Sequence, residues 1–331
     1  MSDIGARASS DGVRVSAPVF VKSTRGRPAG RALQTTTRRI NLIPYIFVTP
    51  AVLCLVAFGV LPIAVAAVVS LTNLDISGLA HYGNIHFIGL ENYRTLFRDP
   101  VFWESLRNTA LFVVIGVPSI LVSSLAVAIA LNRSQSRFFR ALRVFYFFPA
   151  ITAIVAIALI WGYLYNTQFG LFNYLLSLVG ASPVQWLSDP LIAKFSVALV
   201  AIWRATGLDI VIFLAALQAI PREYYEAASI DGAGEWRKIF DITVPLLKFA
   251  IFFVTVTTLI NWMQFFDEPY VLTQGGPVHA TTSVSLYIFQ QGFSFNQFGF
   301  ASAASIVLFA IIALVTTAQL RVRMRNEERN A

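Results

Sequence analysis

One cysteine, Cys54, rules out an intrachain disulfide. The three histidines (His81, His86 and His279) lie in polar segments and form no cluster of metal-ligand spacing. Charged residues make up only 13% of the chain, against about 25% in a soluble domain. No Gly-x-x-x-x-Gly-Lys-Ser/Thr loop is present, so the chain is not expected to hydrolyse ATP itself. No Ser/His/Asp set or carboxylate pair stands out, and no catalytic residue is assigned. Residues 1–42 contain no apolar core ahead of a small-residue cleavage site, so no secretory signal peptide is expected. No internal repeat of fixed period is visible.

Hydrophobic residues are abundant, at 56%. The 331 residues by length alone suggest about two soluble domains, but six long apolar runs overrule that. They cover about 43–71, 108–131, 145–165, 195–219, 246–266 and 300–320. An apolar helix of about 20 residues crosses the hydrocarbon core of a bilayer. Helices are required because lipid offers no partner for backbone polar groups. The fold expected is an all-α membrane protein with six transmembrane helices. Pro44, Pro50 and Pro62 predict a kink or a partly interfacial position for the first run. Cys54 lies in that run and reads as a small apolar residue.

The net charge of +8 is not spread evenly. Eight of the 25 lysines and arginines lie in 1–42, four in 132–144 and four beyond 320. Arg222, Arg237, Lys238 and Lys248 make a further group. The opposite side has only Arg94, Arg98, Arg107 and Lys194. This is the positive-inside pattern, which puts both termini and the loop 220–245 in the cytoplasm. A lipid bilayer accounts for the basic balance, and no nucleic acid is needed.

The chain then divides into a disordered basic cytoplasmic tail (1–42), a membrane domain (43–320) and a short basic tail (321–331). The composition of 1–42 also suits a transit peptide; the leading reading is a solvated tail before an uncleaved anchor. Arg133, Arg137, Arg140 and Arg143 repeat every three or four residues and form a basic helix face. That face suits anionic headgroups or simply the positive side of the membrane. On the other side, 72–107 predicts a short interfacial helix leading into the second span, and 166–194 a packed hairpin. Gly275-Gly276-Pro277 predicts a tight, exposed turn.

The loop between the fourth and fifth runs is the most informative segment. Pro221 suits a first helical position, and Glu223 and Glu226 put negative charge at the positive helix end. Gly232 suits a left-handed stop. Trp236, Ile239, Phe240 and Val244 then return at near-helical spacing. The expected form is helix–Gly–helix, a rigid lever on the cytoplasmic side. Its residues Glu226-Ala227-Ala228, Gly232, Ile242 and Val244-Pro245 resemble the EAA signature of ABC importer permeases, with Val in place of Leu before the proline. Asp231-Gly232-Ala233, Leu272-Thr273-Gln274-Gly275-Gly276-Pro277 with Thr281 and Thr282, and Phe298 to Ala303 resemble the carbohydrate branch. The resemblance covers about 40–322.

What it implies is a type I ABC importer permease fold in the plasma (inner) membrane of a prokaryote. The implied partners are a second similar permease, two ATPase subunits and an extracytoplasmic solute-binding protein. ATP and Mg would be used by the ATPases, with no cofactor bound by this chain. The implied coupling residues are Glu226, Ala227, Ala228, Asp231, Gly232, Ala233, Ile242 and Pro245. Thr273, Gly275, Gly276 and Pro277 would contact the binding protein, unless they form a simple turn.

Polar groups inside spans are costly and mark function by default. Arg204 and Asp209 lie about 140° apart around a helix, so they seek partners on other helices or line a solute path. Thr257, Asn261, Gln264 and Glu268 fall on one helical face, with Phe265 beside them. Neutral hydrogen-bonding groups next to aromatics suit a sugar, although interhelical hydrogen bonding also uses such residues. Trp203, Thr206 and Gly207 are weaker candidates for the path. The leading expectation is a sugar importer permease working by alternating access. Glycerol phosphate or a polyol is the alternative solute class. An ion-driven secondary transporter, which often shows repeats, and a membrane enzyme fit less well.

Overall fold

The computed structural model describes residues 43–133 and 136–330. The expected tail 1–42 lies outside the described residues. The chain divides into two compact units, 1–51 and 52–331. Of the first, the described part is helical and opens α1 (Ile43–Leu55), with Pro50 inside that helix. The site and its scaffold belong to the second.

There, a π turn (Val56–Val60) separates α1 from α2 (Leu61–Val69). Leu61 N–H reaches back five residues to Val56 O, directly before Pro62, which has no N–H to give. The irregularity expected from proline thus takes the form of a widened turn.

α3 (Ile76–Ala80) and α4 (Glu91–Arg98) follow, and α4 is the expected short helix before the second span. α5 (Pro100–Asn132) is 33 residues long and starts eight residues before the apolar run does. The cause is local: Asp99 accepts the Val101 N–H at 2.8 Å, and Pro100 fits the first turn. The same Asp-Pro device starts α9 (Pro190–Gln218), where Asp189 accepts from Leu191 and Ile192.

Two expected spans are broken. The third is α6 (Arg137–Ile151) followed by α7 (Ile154–Leu164), bent by 99°. Pro149 weakens the last turn of α6, and Thr152 and Ala153 are extended. The fifth is bent by 68° between Glu235–Leu246 and α13 (Lys248–Met263). With α1–α2, α5, α9 and α15 (Phe298–Asn330), six apolar crossings result if each bent pair counts as one. The expected tail 321–331 is no separate segment, because α15 continues to Asn330. Among the described residues the extended pairing is a single bridge, Thr72 to Phe87.

The 166–189 segment is packed, as expected, around a short helix, α8 (Leu171–Leu178). Asn173 organises it: Nδ2 donates to Thr167 O and Val184 O, and Oδ1 accepts from Val184 N–H and Trp186 Nε1. The basic face of 133–143 is partly turned inward. Arg143 donates to Leu131 O at 3.0 Å, and Arg133 lies 3.9 Å from Glu235. The side chain of Arg140 lies outside the described residues.

α5 and α9 pack along each other and, with α13, hold the core. One apolar cluster joins Ala128 and Leu131 to Phe213, Leu217, Leu247 and Val254. A second joins Phe112 and Ile120 to Val197, Trp262 and Phe265. Two glycines set the close approaches. A Cβ on Gly116 would overlap the Trp262 ring, and one on Gly207 would overlap the Tyr146 carbonyl of α6. Small residues at such crossings are how membrane helices gain packing, since lipid supplies no hydrophobic drive. Gly207 therefore stands at a helix packing contact. Thr206 likewise bonds Ile202 O at 2.6 Å and Ser123 at 3.3 Å.

Candidate functional site

Between α6, α9 and the end of α13 lies a cavity of about 340 Å³. It gathers Arg204, Asp209, Asn261, Gln264, Phe265 and Glu268, six of the residues expected on a solute path. Arg204 and Asp209 do find partners on other segments. Arg204 donates through Nε to Glu268 at 2.7 Å and through a terminal nitrogen to Asp267 at 3.3 Å. Asp209 accepts from Thr258 at 3.3 Å. By contrast, among the described residues no hydrogen bond engages the side-chain amides of Asn261 and Gln264, both exposed. Phe266 and Trp262 add ring surface to the lining.

The single helical stripe from 257 to 268 is not what brings these groups together. α13 stops at Met263, and Gln264 caps it with φ −100° and ψ 21°. Glu268 enters the cavity from beyond that break, where a π turn (Pro269–Thr273) begins. Thr257 stays outside, its hydroxyl bonded to Phe253 O and Val254 O of its own helix. Trp203 is also outside, edge-on to Trp161 with centroids 5.5 Å apart. Thr258 and Asp267 were missed. Thr258 is one position round α13 from the expected stripe and faces Asp209 of α9, and Asp267 sits beside Glu268 on the segment beyond the break.

The loop 220–246 has the expected helix–Gly–helix form. α10 (Arg222–Ile230) begins one residue after Pro221, which stands before the helix and not at its first position. Gly232, at φ 76°, stops it. Ala233 N–H bonds Ala228 O at 2.9 Å, and Gly232 N–H bonds Ser229 O at 3.1 Å, a Schellman stop. α11 (Glu235–Lys238), a π turn (Ile239–Thr243) and α12 (Val244–Leu246) return the chain. The Tyr225 and Thr243 hydroxyls, 3.0 Å apart, tie the two arms together. Glu226, Ala227, Asp231, Gly232 and Pro245 are exposed; Ala228, Ala233 and Ile242 are half-buried. Ile230 is 88% exposed and Trp236 74%, with Phe240 stacked on Trp236. Large apolar groups so exposed mark an interaction surface.

The 273–283 turn is tight but not exposed where expected. Gly275 is buried, with φ 87°, and Gly276–Pro277 is cis. Thr273 and Thr281 hydroxyls meet at 2.6 Å, and Thr282 donates to Gly275 O at 3.0 Å. Asn108 of α5 donates to His279 O and Thr282 O. The outward groups are Gln274, Val278, which is 82% exposed, and His279. Gly276, Pro277 and Thr273 are half-buried.

Residues 108–325 match the model of the family described as binding-protein-dependent transport system inner membrane component. The chain belongs to that family. This permease is 36% identical over 283 residues to the sulfoquinovosyl glycerol transport system permease protein SmoG of Agrobacterium fabrum, covering 85% of this chain and 90% of that one. It is 35% identical to the lactose transport system permease protein LacF of Rhizobium radiobacter, covering 86% and 97%. It is 34% identical to the trehalose/maltose transport system permease protein MalF of Thermococcus litoralis, covering 84% and 92%. Its fold matches a chain of a bacterial alginate ABC transporter solved with an alginate pentasaccharide-bound periplasmic protein. The TM-score is 0.72 at 22% identity, over 86% of this chain and 94% of that one. The permease is a multi-pass membrane protein, and the loop, the turn and the cavity all fall within the matched residues.

Proposed function

We propose that this permease is the membrane subunit of an ATP-driven importer of a carbohydrate. The observation that carries the reading is the cavity beside the break of α13, where unengaged amides and aromatic rings meet. Amides exchange hydrogen bonds with sugar hydroxyls, and ring faces cover the apolar face of a pyranose. The solutes named for its relatives (sulfoquinovosyl glycerol, lactose, and trehalose or maltose) belong to that class. Its fold neighbour serves an acidic polysaccharide, so fold alone does not select the cargo.

The partners in this reading are a second permease of similar fold, two ATPase subunits and an extracytoplasmic solute-binding protein. The basic loops support a placement of both termini and the 220–246 loop on the cytoplasmic face of a prokaryotic plasma membrane. ATP and Mg are used by the ATPases. The exposed face of Ile230, Trp236 and Phe240 is offered to them, with Glu226 to Ala228 on the same lever. Movement of that lever rocks the attached helices and alternates access to the cavity. The outward Val278 and His279 support contact with the binding protein on the other side.

Copurification of the ATPase with wild type and with Gly232→Asp tests the lever. A Cβ at Gly232 meets nothing within 4 Å, but its φ of 76° strains any side chain placed there, so insertion and melting of the variant are measured first, and the new side chain stands on the docking face. Loss of the ATPase from a well-folded variant supports the reading. A well-folded wild type that brings down no ATPase sinks it and favours a gradient-driven transporter.

A further inference from the structure

Charge in the cavity is lopsided. Among its lining residues stand one guanidinium, Arg204, and three carboxylates, Asp209, Asp267 and Glu268. The lone cation is already held, at 2.7 Å by Glu268 and 3.3 Å by Asp267. An entering anion therefore meets no uncommitted positive group among the described residues of this chain, and it meets carboxylate excess in a site walled by Trp262, Phe265 and Phe266. Like charges brought together there repel, the more so beside the buried Asp209 and Glu268, where the field is less screened than in bulk water. The uncharged groups are in the opposite state. Asn261 and Gln264 are exposed, and no hydrogen bond among the described residues occupies their side chains. Each offers both a donor pair and an acceptor.

Charged groups engaged with one another and neutral amides left open is the arrangement expected for a neutral cargo. We infer that this cavity admits uncharged polyhydroxyl solutes and rejects anionic ones, whether phosphorylated, sulfonated or carboxylated. The inference rests on the carbohydrate reading above and narrows it. The residues that set the discrimination are Asp209 and Asp267, whose charge exceeds what Arg204 balances once Glu268 is paired.

The chain has one native cysteine, Cys54, which makes a direct reading of the cavity potential possible. In a Cys54→Ala background, Gln264→Cys places one thiol in the cavity of the assembled transporter. Its rate of modification is measured with a cationic and an anionic methanethiosulfonate of similar size, each normalised to a free thiol. The cationic reagent is expected to react at least about tenfold faster, the order of effect that charge lining a cleft has on approach. Asp209→Asn with Asp267→Asn should bring the ratio close to one, and Asp267→Asn alone should move it part of the way if the double variant does not assemble. Equal rates, or a faster anionic reagent, overturn the inference.

A second arm measures uptake by proteoliposomes carrying the whole transporter. Lactose and trehalose are compared with galacturonate and glucose 6-phosphate. Transport of either anion as fast as a neutral sugar also overturns the inference. ATP-independent behaviour of all four strikes instead at the importer reading, and the reagent ratio is unaffected by it.

Discussion

Arg204 of α9 donates to Glu268 across 2.7 Å, and this ion pair bridges the gap left where α13 stops at Met263. The Glu268 side chain is only 2% exposed, so its partner is not optional. Arg204→Gln should cost about 3 kcal/mol of stability, the usual penalty for leaving one member of a buried pair alone. Glu268→Gln should cost clearly less, because Arg204 keeps Asp267, which is half in water. Thermal unfolding of the detergent-solubilised protein, followed by tryptophan emission, reads the difference. Equal losses would show that the pair does not hold the break.

Two glycine crossings differ in whether they can be repaired. A side chain at Gly116 runs into the ring of Trp262. Gly116→Ala should cost about 1–3 kcal/mol, the usual range for overpacking, and the added change Trp262→Phe should recover part of it. Gly207 faces the backbone carbonyl of Tyr146, so Gly207→Ala should have no such rescue from Tyr146→Ala. Melting temperatures of the four variants decide the matter.

Trp236 and Phe240 stack on each other and face outward, making few contacts within the chain. Trp236→Ala and Phe240→Ala should leave thermal stability within about 0.5 kcal/mol of wild type, as surface changes usually do. Both should weaken retention of the ATPase on an affinity resin. A large drop in melting temperature with full ATPase retention would assign these rings to folding.

Asn173 fixes the 166–189 segment through four hydrogen bonds, as donor to two carbonyls and as acceptor of two N–H groups. Asn173→Asp replaces the donor with an oxygen facing Thr167 O and Val184 O. It should therefore be more harmful than Asn173→Ala, by about 1–2 kcal/mol, since it leaves two buried acceptors against a charge. Limited proteolysis between 166 and 189 is the measurement, with faster cleavage of the aspartate variant expected. Equal cleavage rates would remove Asn173 from that role.

The sequence by itself determined the class of this protein. Apolar runs of spanning length dictate helices, because a lipid-exposed backbone has no other way to satisfy its polar groups. The Glu226–Gly232 loop was equally legible, since a left-handed stop needs glycine and a lever needs two short helices at that point. Helix starts were less so. The Asp99-Pro100 and Asp189-Pro190 caps begin α5 and α9 ahead of their apolar runs, and hydropathy does not register a cap.

The cavity needed the tertiary structure. Periodicity put Thr257 and Glu268 on one helix face, but α13 ends at Met263 and the chain re-enters beside α9. That end depends on long-range bonds, such as the Ser283 hydroxyl to Phe265 O and Arg204 to Glu268. In the same way, Gly275 looked like a free turn until Asn108, Thr281 and Thr282 tied its loop down. A sequence states which side chains need partners. Only the packed helices decide which partners they meet, because those partners lie on segments far away along the chain.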